Sequence, residues 1–325
     1  MELFYYIFVS LFGILFSLEK SPIKNSTVFF AIWFLVYFVL VIIVRNKFDV
    51  DINTYANSMS SSSMSLYYLK EPVVWFGQRY VFGLTQNAFT VFVIYDVIFG
   101  VLLYKALRNL NVPQYVFFSI LVFFPFVLGM QNIYRQWTAS ILFLYSFSFI
   151  WNERNSFRAY SLFALSFLAH NVAAVFLPLL LVRMRKAFGK LIWSLSFVVS
   201  FIGIYLGSSS KSSANTGADM STTYLILLFF FICLVLLLDK GVIRTIRNFE
   251  YRLLLSLFVL SLSATLLLSS TGGERVSMFS LVIAYPILAN LFEERFRKKV
   301  IIRIAFTVMG FAPMFLFSIS KFIVE

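Results

Sequence analysis

The stretch GMQNIYRQWTASILFLYSFSFIW, residues 129–151, passes from polar to apolar within a few positions. Arg135 and Gln136 stand beside Tyr134 and Trp137, and a membrane-length apolar run follows them. A cation at bilayer depth costs about 2.5–3.5 kcal/mol on insertion scales, so it is usually kept for a partner. The rest of the chain has to supply that partner's identity.

Of the 325 residues, 61% are hydrophobic, 20% aromatic and 13% charged, with a mean hydropathy of +0.88. A soluble domain cannot hide that much apolar surface. Repeated runs near the ~20 residues that cross a bilayer predict an all-α, polytopic helical membrane protein. The period-two alternation of a membrane barrel is absent. The net charge of +13 is better read as topology-setting basic loops than as a nucleic-acid surface. Cys233, the one cysteine, lies in an apolar run and allows no internal disulfide. The first run, LFYYIFVSLFGILFSL, lacks a basic n-region and a small-residue cleavage site, so it reads as a retained span.

Apolar runs between charge clusters predict spans near 3–18, 26–44, 88–104, 114–129, 136–151, 188–207, 222–238, 251–269, 276–292 and 301–318. Most of the 27 Lys and Arg fall in clusters at 20–24, 105–108, 154–158, 183–190, 240–252 and 295–303. With all of these on the cytoplasmic side, the spans alternate everywhere except across 159–182, whose two ends want the same face. A re-entrant hairpin resolves this: AYSLFALSFLA enters, His170 and Asn171 turn, and VAAVFLPLLLV returns. A full span with one weak loop is the alternative. Arg45 and Lys47 are left outside, against the charge rule. The chain reads as a single transmembrane domain, 1–325, with an external membrane-surface segment near 45–87. The external loop 208–221 has turn composition.

Four external features could carry chemistry. DVDINTY sets Asp49, Asp51 and Tyr55 just beyond the second span, either as a solvated exit loop or as a carboxylate set at the bilayer surface to act as base or to hold a pyrophosphate-linked metal. KEPVVWFGQRY puts Glu71 before a proline at a helix start, with Trp75 and Arg79 spaced to share a face. That face suits a sugar ring beside a phosphate, or a helix resting on headgroups. Arg135 heads a span whose N-terminus faces outside, where helix N–H groups, dipole and guanidinium together make an anion site. TGGERVSMFS repeats the arrangement, two glycines loosening the turn before Glu274 and Arg275. His170 is the chain's only histidine, too few for a zinc centre and unpaired with any nucleophilic thiol. Asp96, inside the third span, must be paired or protonated, and the sequence does not name its partner. A cationic external pocket with aromatic walls suits a lipid-linked anion, a polyprenyl diphosphate carrying a glycan.

At these residues the sequence resembles a Wzy-type O-antigen polymerase of the EpsG-like branch of bacterial polysaccharide-polymerising membrane proteins. The resemblance covers roughly 30–300 and rests on the order of Asp51 with Tyr55, Glu71-Pro72, Arg135-Gln136, the AHN around His170, and Arg275 before an apolar run. It implies a GT-C-like glycosyltransferase of the bacterial cytoplasmic membrane with its active site outside. Such an enzyme joins undecaprenyl-diphosphate-linked donor and acceptor glycans beside a chain-length regulator; a mechanism without cofactor or metal is expected because Arg135 and Arg275 can do a metal's work. Asp51 is the first candidate for the base, because it lies outside and follows an early span, with Glu71 second and His170 third. Arg135, Arg275, Arg79, Tyr55, Gln136, Trp75, Tyr134, Trp137 and Glu274 would bind substrate. The long external loop of many such polymerases is not evident unless 45–87 fills that role. An O-antigen ligase shares the same donor. A lipid-glycan flippase would set its charges midway along several spans rather than at their external entrances, and His170 does not exclude a membrane-bound acyltransferase.

Overall fold

Apolar runs of 17 to 26 residues with few breakers have one stable option in lipid, which is to satisfy every backbone group within a helix. The computed structural model describes residues 2–18, 27–46, 50–61, 66–152, 156–182, 187–210, 220–238, 249–295 and 299–316, and all regular structure among them is helical. In chain order these are α1 (Glu2–Leu18), α2 (Thr27–Arg45), α3 (Val50–Ser60), α4 (Pro72–Thr85), α5 (Ala88–Asn109), α6 (Gln114–Ser119), α7 (Phe124–Gln131) and α8 (Tyr134–Trp151). They continue as α9 (Ser156–Ala169), α10 (Leu177–Leu181), α11 (Ala187–Ser210), α12 (Ser221–Leu238), α13 (Phe249–Leu267), α14 (Ser270–Arg295) and α15 (Lys299–Leu316). Short 3₁₀ turns at Leu66–Lys70, Ile120–Val122 and Asn171–Phe176 join some of them.

Large apolar side chains are exposed along α1 (Phe4, Phe8, Leu11), α2 (Leu35, Ile42), α11 (Val199, Ile202) and α12 (Ile226, Phe229). In water such a surface marks an interaction site; on helices of this composition it faces acyl chains, and the protein is a membrane protein. Among the described residues four helices qualify to cross by length and composition: α2, α5, α13 and most of α14. A fifth forms if α6 with its 3₁₀ turn and α7 make one span, bent by 53°. Within the described residues the predicted ten runs fall mainly on helices, the run 114–129 in two pieces, while α1, α11 and α12 count among the shorter apolar ones.

Two departures from straight spans have local causes. The run 114–129 breaks at Phe123, whose backbone is extended, because Pro125 opens α7 without an amide hydrogen. At 159–182 the chain leaves α9 at Ala169, turns extended at His170, and proceeds through a 3₁₀ turn into the five-residue α10. Neither arm reaches the length of a crossing. Much of the basic clusters at 20–24, 154–158, 183–190, 240–252 and 295–303, and most of the loop 208–221, lie outside the described residues.

The centre of the molecule is α8, nearly all of whose side chains are buried, packed against α5 and α9 with α14 alongside. On α5, a Cβ at Gly100 would stand 2.3 Å from the ring of Tyr37, so only glycine lets α2 approach this closely. The segment 45–87 forms two helices that lay a face on this core: Ile52, Tyr55 and Met59 from α3, and Val74, Trp75 and Gln78 from α4.

Candidate functional site

Proline at the first position of α4 fixes where that helix begins, and Glu71 occupies its N-cap place. The Glu71 carboxylate makes no cap hydrogen bond there. It turns instead to Arg135, whose Nη1 donates to Glu71 Oε2. The two side chains are 4% and 13% exposed, so the pair sits at the edge of the buried core rather than in bulk solvent.

Arg135 occupies the second position of α8, as the sequence predicted. Its Nε donates to Tyr55 Oη at 3.1 Å, and its Cζ lies 5.4 Å from the ring of Tyr55 and 5.1 Å from that of Trp75. Trp75 meets Tyr55 edge-on at 5.3 Å and Tyr68 at 4.7 Å. Arg79 lies 4.6 Å over Tyr68 and donates to the Ser58 carbonyl at 2.9 Å. The α3–α4 wall is therefore a ladder of cation and aromatic faces, Arg135 against Trp75 and Arg79 against Tyr68. Tyr68 was not singled out from sequence, although its place in an aromatic-rich segment was visible.

The third group is His170. Its Nδ1 lies 3.6 Å from Glu71 Oε1 and accepts the Val172 backbone N–H at 3.2 Å. That hydrogen bond occupies the Nδ1 lone pair, so the neutral ring carries its proton on Nε2. Asp51 lies in the first turn of α3 and its side chain falls outside the described residues, as does Asp49 altogether.

Gln136 reaches the other way, its Nε2 donating to the Arg275 carbonyl at 2.6 Å, which joins the starts of α8 and α14. Here the expectation needs correction. Helix α14 begins at Ser270, so Gly272 and Gly273 lie within it and Glu274 and Arg275 sit in its second turn. A helix-terminal field acts mainly on the first turn, so it is weaker at Arg275 than at Arg135. The glycines serve packing: a Cβ at Gly273 would stand 2.9 Å from the backbone of Thr265 on α13.

Tyr134 and Trp137 turn inward. Tyr134 Oη donates to Asp96 Oδ1 at 2.9 Å, and its ring stacks on Trp137 at 5.5 Å. Asp96 finds its partner in Arg45, which sequence reasoning left outside. Arg45 Nε donates to Asp96 Oδ2 at 2.7 Å and Nη2 to Oδ1 at 3.1 Å, with both side chains fully buried. Nη2 also donates to the Met130 carbonyl at 3.0 Å, and the guanidinium lies 4.7 Å over the Tyr134 ring. This pair ties α2, α5, α7 and α8 together. The missed signal was an unmatched acid in one span and an unmatched base at the end of another.

Removing one member of a buried pair leaves an uncompensated charge, at a cost of about 3–5 kcal/mol. Asp96→Ala is therefore expected to lower stability by that order in detergent-based thermal unfolding. The neutral double replacement Arg45→Met with Asp96→Leu is expected to recover most of the loss. Equal stability of Asp96→Ala and the parent chain would show that the pair is not formed.

Among the described residues no group of three or more His, Cys, Asp or Glu is placed to hold a metal ion. In comparisons with known proteins, the model of the EpsG family matches residues 30–324. No curated protein and no solved structure matches the chain.

Proposed function

The chain belongs to the EpsG family of polysaccharide polymerase-like membrane proteins, and from that premise we propose that it is a membrane glycosyltransferase extending undecaprenyl-diphosphate-linked glycan. The reaction takes place at the outer face of the bacterial cytoplasmic membrane. The proposed architecture is GT-C-like, ten spans with a re-entrant hairpin at 159–182. The observation that carries the reading is the meeting of Arg135, Glu71 and His170, from three elements distant in sequence, against the aromatic wall of Tyr55 and Trp75.

In this reading a hydroxyl of the incoming repeat unit attacks the anomeric carbon of the growing chain. The new C–O bond forms as the bond to undecaprenyl diphosphate breaks, and the diphosphate leaves with the electron pair. Arg135 takes up the charge that develops there, with Arg275 across the entrance, in a site shielded from bulk water. Glu71 accepts the hydroxyl proton. The donor's diphosphate competes with Glu71 for the same guanidinium, so donor binding frees a carboxylate oxygen at the moment one is needed. His170 is not assigned the base role, since its Nδ1 lone pair is taken by the Val172 N–H; it stands as a neighbour of the carboxylate at 3.6 Å. Asp51 is the competing base from the facing helix.

Purified protein supplied only with undecaprenyl-diphosphate-linked repeat unit is expected to make a ladder of longer chains and release undecaprenyl diphosphate. A ligase would need a different acceptor, and a flippase would move the lipid without consuming it. Absence of chain growth with transfer to a separate lipid core would overturn the polymerase reading.

A further inference from the structure

Gln136 is fully buried and its amide cannot be reversed. Its nitrogen donates to the Arg275 carbonyl, which leaves Oε1 as the acceptor, and Oε1 makes no hydrogen bond. The same condition recurs beside it. Gln131 Oε1 and Asn132 Oδ1, at the corner between α7 and α8, are shielded oxygens without donors, and Trp137 Nε1 and Arg275 Nε are shielded donors without acceptors. These groups lie together. The corner follows α7 without a gap, Asn132 N–H bonding to Leu128 and Ile133 N–H to Gly129. A Cβ at Gly129 would stand 3.3 Å from both Trp137 and Met278, so α14 just beyond Arg275 is seated against this corner.

A shielded polar group left unpaired costs about 1–3 kcal/mol, and folded proteins keep few of them. Several at one place are explained by a ligand that completes them, and the balance of donors and acceptors identifies its class. The three amide oxygens need hydrogen-bond donors, which ionised phosphate oxygens cannot supply. Hydroxyl groups both donate and accept, and so match the oxygens and the indole and guanidinium N–H groups alike.

We infer that the α7–α8 corner and the second turn of α14 form a sugar subsite, built from Gln131, Asn132, Gln136, Trp137 and Arg275, that reads the hydroxyls of the donor sugar next to the diphosphate. The inference rests on the proposed glycosyltransferase reading, because Arg135 and Arg275 holding the diphosphate is what brings the first sugar to this corner.

The test uses purified full-length protein carrying Asn132→Ala or Gln136→Met. Two quantities are measured: KM for the undecaprenyl-diphosphate-linked repeat unit, and the inhibition constant of undecaprenyl diphosphate, which has no sugar. The expected result is a rise of about tenfold in KM, equivalent to about 1.4 kcal/mol, with the inhibition constant unchanged. Gln136→Met also removes the bond to Arg275 that joins α8 to α14, so its fold is checked separately. Asn132→Ala, at a half-buried corner, leaves that bond intact and keeps the test decisive. Parallel rises in both constants would assign these residues to the diphosphate and overturn the subsite. An unchanged KM would do so too, leaving a lipid headgroup as the source of any hydroxyls there. The two levels fail separately: absence of chain growth by the parent protein removes the glycosyltransferase reading, whereas normal growth by the parent with an unchanged KM in Asn132→Ala removes the subsite alone.

Discussion

Arg135→Ala is expected to abolish long-chain glycan, with a loss of about 10²–10³-fold or more in turnover, the range found when one donor to a developing oxyanion is deleted. Arg135→Lys is expected to fail nearly as badly. The guanidinium works in two directions at once, Nε toward Tyr55 and Nη1 toward Glu71, and an ammonium on a flexible stem does not reproduce that fork. A stability effect could imitate the result, because losing Arg135 leaves the Glu71 carboxylate, 4% exposed, without this cation. The double replacement Glu71→Gln with Arg135→Met separates the two causes. It restores a neutral, packed contact and hence the fold, and it is expected to remain inactive. Abundant long-chain glycan from a stably inserted Arg135→Ala protein would remove this arginine from the site.

Glu71→Gln carries the second large effect. The amide keeps the shape of the side chain and a hydrogen-bonding oxygen for Arg135 but cannot take the hydroxyl proton. A general base typically contributes ~10²–10⁴-fold, so turnover with purified lipid-linked repeat unit is expected to drop by that order. KM for the donor is expected to shift by less than tenfold. His170→Ala is expected to fall between the two, since it removes a neighbour of the carboxylate, 3.6 Å away, and not the proton acceptor itself. The competing outcome is specific: near-normal turnover in Glu71→Gln together with a dead Asp51→Asn would move the base to α3. If all three variants stay active, acid–base catalysis is not what limits the reaction, and the arginines with substrate positioning would have to carry it.

Much of this protein was legible before any fold was known. Hydropathy located the helices, because each membrane-length apolar run must close its own hydrogen bonds whatever its neighbours do. Local chemistry located the irregularities: Pro125 ends a straight helix at Phe123, Pro72 starts α4, and the charge pattern marked 159–182 as anomalous, where the chain breaks at His170. Arg135 at the head of its helix and aromatic Tyr55 and Trp75 in a polar segment were also readable, since a cation and ring-bearing residues near lipid are exceptional on their own.

What the tertiary structure alone decided is which groups face which. In a soluble helix the apolar stripe tells the core side, but here lipid-facing and core-facing positions are both apolar, so periodicity does not point inward. That is why Tyr134, which suits a substrate wall by type, is instead bonded inside to Asp96, and why Arg45 could be taken for an external residue when it is the buried partner of Asp96. It is also why Glu71, at a helix start, shows its partner only once α4 is seen against α5 and α9 with the Glu71 carboxylate at Arg135 of α8. Pairs such as Glu71 with Arg135, 64 positions apart, or Gln136 with Arg275, 139 apart, depend on how whole helices pack. No local pattern along the chain encodes that distance, because the energy that sets it is shared among every side chain between the helices.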